Sequence, residues 1–89
     1  MKIYPIFNSA VEIKCRIPGL QPTDAVSWEY EGIPLVAEPE QVVLMDNDQT
    51  LWIKSFQPSD VGRYTCKANG YQWSMYLNGY STRKFCCIF

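Results

Sequence analysis

Two short runs, VEIKCRI at residues 11–17 and GRYTCKA at residues 62–68, constrain what this chain can fold into. Each alternates its side chains with period two and carries a cysteine on the inward phase, the signature of strands with one buried face. Val11, Ile13, Cys15 and Ile17 therefore face in, while Glu12, Lys14 and Arg16 face out. Cys66 has the same standing in the second run. Of the four cysteines, Cys15, Cys66, Cys86 and Cys87, only the first two sit at such positions, so phase and spacing favour Cys15 paired with Cys66. That bond closes a loop of about 50 residues, for which chain entropy gives about 4 kcal/mol, comparable with a small domain's whole stability. A structural disulfide of this kind implies an oxidising compartment.

The 89 residues make one domain, 1–89, with residues 78–89 read as an extra strand or tail. Only 19% of residues are charged and 47% are hydrophobic, which disfavours a disordered chain. Net charge is near zero and no basic cluster exceeds the pair Arg83 and Lys84, so nucleic acid is not an expected partner. The chain has no histidine, and therefore lacks the usual general base and the commonest metal ligand. No Cys-x-x-Cys cluster points to zinc, and the acidic run DNDQ at residues 46–49 lacks the glycine and distal glutamate of a calcium loop. No catalytic residue, metal site, cofactor or small-molecule substrate is expected. The opening MKIYPIFNSA is too short and too interrupted by Pro5 for a signal peptide or a membrane span. Any secretion signal, neighbouring domain or membrane attachment is expected outside these residues.

Strand signals recur about every ten residues with turn residues between them. They fall near residues 2–7, 10–17, 25–31, 40–45, 49–56 and 62–69, with one or more after 70. Leu51 and Ile53 face in on the fifth. Cys15, Trp28 in VSWEYEGIPL, and LWIKSFQPSDVGRYTC ending at Cys66 together resemble the immunoglobulin superfamily over essentially the whole chain. The short interval between the two cysteines matches its intermediate and constant-2 types. The resemblance implies an all-β, immunoglobulin-like Greek-key sandwich of two antiparallel sheets. It also implies that Trp28 packs on the disulfide, that Leu51 belongs to the core, and that Asp60 and Gly62 form a corner turn whose buried tyrosine is Tyr64. In many such domains the residue matching Asp60 pairs with a basic side chain. Here no Lys or Arg lies between Arg16 and Lys54, so that pair is missing or Asp60 takes another partner, such as a turn amide.

Beyond Cys66 two readings stand. Asn69 and Gly70 are a strong hairpin signal, which makes residues 71–77 the last strand, with Tyr71, Trp73, Met75 and Leu77 alternating against Gln72, Ser74 and Tyr76. Alternatively, residues 70–81 form a long aromatic loop and residues 82–89 are the last strand. The terminal CCIF also matches a prenylation box. That chemistry belongs to the cytosol and conflicts with a secreted disulfide, leaving a buried strand or an intermolecular thiol as the plainer readings of Cys86 and Cys87.

Two outward aromatics are the candidate binding residues. Tyr76 is expected beside Gln72, Ser74, Lys67 and Glu29 on one sheet. Trp52 is expected on the other, formed by the strands at 2–7, 10–17, 40–45 and 49–56, beside Lys54 and near Lys14 or Arg16. Tyr and Trp among polar neighbours are typical interface anchors, although Lys and Arg stems can simply cover such a ring. Asp24, Glu29, Glu31, Glu38, Glu40, Asp46 and Asp48 lie in a span without basic residues, either attracting a basic partner or keeping edge strands unpaired. The chain thus reads as a non-enzymatic extracellular module of an adhesion protein or receptor that binds protein, with a second copy of itself, as a homodimer, among the candidate partners. The alternative is an intracellular structural domain of a giant muscle protein.

Overall fold

The computed structural model describes residues 2–36, 38 and 40–79. Its strands are β1 (Lys2–Ile3), β2 (Val11–Lys14), β3 (Ser27–Tyr30), β4 (Ile33–Pro34), β5 (Val42–Met45), β6 (Thr50–Ile53), β7 (Gly62–Ala68) and β8 (Tyr71–Leu77), with a 3-10 turn at Pro58–Asp60. They form one sheet ordered β1-β8-β7-β3-β4 and a second ordered β2-β6-β5. The alternation of β2 and β7 places Val11, Ile13 and Cys15 from one sheet against Tyr64 and Cys66 from the other. With Ile17, Val26, Trp28, Val42, Leu51, Ile53, Phe56, Met75 and Leu77 they make the buried core. Phe56, Leu51, Ile53 and Leu77 are completely covered, and full burial of such a side chain stabilises by roughly 1.5–3 kcal/mol. This is the expected all-β immunoglobulin-like sandwich.

The expected placement of residues 2–7 is corrected. The sequence pattern puts them in the sheet of β2, β6 and β5, but only Lys2–Ile3 form a strand, and it pairs in parallel with β8 at the edge of the five-stranded sheet. Every other strand pair is antiparallel. Pro5 offers no backbone N–H to prolong the β1 ladder. Beyond it the chain turns at Asn8 (φ 71°) and crosses to the second sheet. There Asn8 N–H donates to the Phe56 carbonyl and Phe56 N–H to that of Ser9, both at 2.8 Å.

The hairpin reading of the last strand agrees with the structure. Asn69 (φ 53°) and Gly70 (φ 80°) are both left-handed, as a tight two-residue hairpin turn requires. They join β7 directly to β8 in register from Ala68↔Tyr71 to Gly62↔Leu77. Cys86, Cys87, Arg83, Lys84 and the competing strand at 82–89 lie outside the described residues.

Candidate protein-recognition face

The residues of the sequence signature build the frame that carries this face. Cys15 and Cys66 are disulfide-bonded across the sandwich. Trp28 lies beside Cys66 in register, 3% exposed, and its indole Nε1 donates to the Asp48 carbonyl at 2.6 Å. Tyr64 Oη donates to the Asp60 carbonyl at 2.7 Å. Burial pushes the Tyr64 phenol well above its ordinary pKa, helped by the negative charge of Asp60. The Asp60 carboxylate finds the turn amide anticipated above, accepting from Gln57 N–H at 2.8 Å and from the Gln41 side-chain amide at 3.4 Å. A second tyrosine at this corner was not legible beforehand. Tyr30 Oη donates to the Val61 carbonyl, and its ring lies 5.0 Å from that of Tyr64.

Gly62 opens β7 with φ 151°, where L side chains are strained. A Cβ there would lie 2.7 Å from both Glu31 Oε2 and Tyr30 Cε1. The absence of a side chain therefore lets the Tyr30–Glu31 segment close over the start of β7.

On the outer side of the five-stranded sheet, the side chains proposed from sequence converge. Register aligns Ser27, Lys67 and Gln72 in one cross-strand row, Glu29, Thr65 and Ser74 in the next, and Arg63, Tyr76 and Lys2 in a third. Lys67 Nζ lies 2.9 Å from Glu29 Oε2. Thr65 and Ser74 share a hydroxyl hydrogen bond at 2.8 Å. Tyr76 is half-buried, with Lys2 Nζ 5.6 Å from its ring centre. Two shallow depressions flank it, about 610 Å³ between Lys2, Arg63, Ser74 and Asn78, and about 480 Å³ bordered by Glu29, Glu31, Arg63 and Gln72. Arg63 and Lys2 were not singled out from sequence. Arg63 could have been, since it shares the outward phase of Lys67; Lys2 could not, because the sheet edge it joins is set by long-range pairing with Tyr76 and not by local alternation.

Trp52 is half-buried on the outer side of the other sheet. Directly opposite it on the flanking strands stand Glu12 and Val43, while Lys14 lies one cross-strand pair along, opposite Thr50, and so is diagonal to Trp52.

The acidic span is largely engaged in local structure. Asp24 accepts from Gln21 N–H at 2.9 Å and from the Asn69 amide at 3.1 Å, tying the β2–β3 loop to the β7–β8 hairpin. These bonds hold its carboxyl below the usual carboxylate range. Asp46, Asn47 and Asp48 are consecutive left-handed residues of the β5–β6 turn. Gln49 anchors that turn by donating to the Gln21 and Asp24 carbonyls, both at 2.6 Å.

Comparison with known proteins agrees with this frame. The model of the immunoglobulin I-set domain matches residues 6–72. Mouse hemicentin-1 is 36% identical over 64 residues, covering 72% of this chain and 1% of that protein. The mouse basement membrane-specific heparan sulfate proteoglycan core protein is 36% identical over 58 residues, 65% of this chain and 2% of its own length. The chain thus spans a small part of the relatives it matches. In the crystal structure of the titin M10–obscurin-like 1 Ig complex, a chain shares the fold at a TM-score of 0.73 and 22% identity, over 90% of this chain and 86% of that one. The disulfide, the buried tryptophan, the tyrosine corner and the matched family model lead to one conclusion: this chain belongs to the immunoglobulin I-set family.

Proposed function

We propose that this domain is a non-enzymatic recognition module of an extracellular or cell-surface protein, and that it binds a protein partner through the outer face of its five-stranded sheet. The observation that carries the reading is Tyr76, a half-buried ring between two shallow depressions and within one strand of Lys2 and Arg63. A rigid aromatic with an apolar body and a polar rim supplies large contact area at low entropic cost. Glu29, Lys67 and Gln72 complete the rim. The core disulfide supports an oxidising compartment, as does similarity to a protein named for the basement membrane.

The test immobilises the domain and its Tyr76→Ala and Trp52→Ala variants and challenges each with a soluble extract of basement membrane. Loss of capture in Tyr76→Ala alone, by about 30-fold in affinity, is the expected result for a central anchor. Loss in Trp52→Ala alone would move the site to the opposite sheet. Thiol counting on protein purified from its native source tests the compartment. No more than two reactive cysteines agree with the extracellular reading, whereas four would favour an intracellular structural role.

A further inference from the structure

The outer face carries a row of charge whose order runs in one direction. Lys2 stands opposite Tyr76, and Tyr76 opposite Arg63. The Arg63 backbone engages Glu31 twice, its carbonyl accepting Glu31 N–H at 2.9 Å and its N–H donating to the Glu31 carboxylate Oε2 at 2.6 Å. Across β1, β8, β7 and the turn residue that follows β3, the row therefore reads cation, aromatic, cation, anion.

That order is complementary to its own reverse. Lys2 matches Glu31, and Tyr76 matches Arg63. The reversal is produced by a two-fold axis lying in the plane between two stacked sheets, parallel to the strands and running between β8 and β7. The same axis sets Ser74 over Thr65 and Gln72 over Lys67, so the adjoining rows meet without like charges.

Resting on the reading of this face as the recognition surface, we infer that its partner is a second copy of this chain, docked face to face about that axis. A uniformly basic partner is opposed by Lys2 and Arg63, and a uniformly acidic one by Glu29 and Glu31, whereas a second copy satisfies both ends of the row. On docking, Lys2 leaves its own Tyr76 for the partner's Glu31, and the ring is free to receive the partner's Arg63 as a cation–π contact. The interface is isologous, so each pair occurs twice.

The test is sedimentation equilibrium of the 89-residue chain in a Cys86→Ser, Cys87→Ser background, which removes intermolecular disulfides. The parent is expected to dimerise reversibly. Lys2→Glu and Glu31→Lys, each alone, place like charges at both symmetry-related pairs and are expected to weaken the dimer at least about tenfold. An equimolar mixture of the two variants restores both pairs, and heterodimers within about threefold of parental affinity are expected. Lys2 is exposed at the sheet edge, so Lys2→Glu carries the test even if Glu31→Lys lowers stability. A parent that stays monomeric up to about 1 mM, an affinity of only some 4 kcal/mol, overturns the second copy as partner and leaves the face itself to the Tyr76→Ala capture test. A dimer that persists in both charge variants but is lost in Trp52→Ala overturns the face as well.

Discussion

Tyr64 and Asp60 hold the corner between β6 and β7 through one 2.7 Å hydrogen bond, phenol to backbone carbonyl. The Asp60 side chain meanwhile turns back to cap the 3-10 turn through Gln57 N–H. The aspartate thus uses its backbone for the tyrosine and its carboxylate for the turn, and no basic partner is needed. Tyr64→Phe keeps the ring in the core and removes only the hydroxyl. Denaturant titration is expected to show a loss of about 0.5–1.5 kcal/mol, with partner affinity unchanged. A loss of affinity without loss of stability would make Tyr64 a binding residue instead.

Gly62 is predicted to tolerate no side chain. Gly62→Ala combines a strained φ of 151° with a Cβ 2.7 Å from Glu31 Oε2 and Tyr30 Cε1, and a cost of about 1–3 kcal/mol is expected. Gly19→Ala is the control, since its φ of 80° is also unfavourable but nothing lies within 4 Å of its Cβ. Equal destabilisation in the two variants would show that backbone strain alone matters and that closure over β7 does not.

The bond between Cys15 and Cys66 bridges the two sheets at the centre of the core. Its removal by Cys66→Ala is expected to cost about 2–5 kcal/mol and to prevent stable folding near body temperature. A cooperative melt above about 50 °C, within the usual range for intact small domains, would contradict this. Peptide mapping that links Cys15 to Cys86 or Cys87 would contradict the pairing itself.

Alkaline pH should weaken the fold through its corner. Burial raises the Tyr64 phenol pKa in the folded state, as it does to a smaller extent for Tyr30, while both ionise near pH 10 when unfolded. A raised folded-state pKa contributes stability that is fully present below the unfolded value and is lost as pH rises from there through the folded value. Urea midpoints measured at several pH values are therefore expected to hold steady below about pH 10 and to fall above it. Tyr64→Phe is expected to flatten that fall, and an unchanged slope would assign the pH dependence elsewhere.

The strand phases were legible in the sequence because a period of two is a local property. VEIKCRI and GRYTCKA specify which side chains enter the core, and the same logic placed Tyr76, Lys67, Gln72 and Glu29 outward. Asn69 and Gly70 likewise announced a tight hairpin, since a left-handed two-residue turn has few compatible residues. The neighbours of those outward residues were not local. Whether Glu12 or Lys14 stands directly opposite Trp52 depends on cross-strand register, and whether Lys2 reaches Tyr76 depends on which sheet edge the first residues join. Pro5 shows that the ladder must stop, but not which edge it leaves. Sheet choice and register are fixed by hydrogen bonds between segments as distant as Lys2 and Tyr76. Their energies depend on what the rest of the chain leaves unpaired, so alternation determined the faces of this protein and tertiary pairing decided which charges share them.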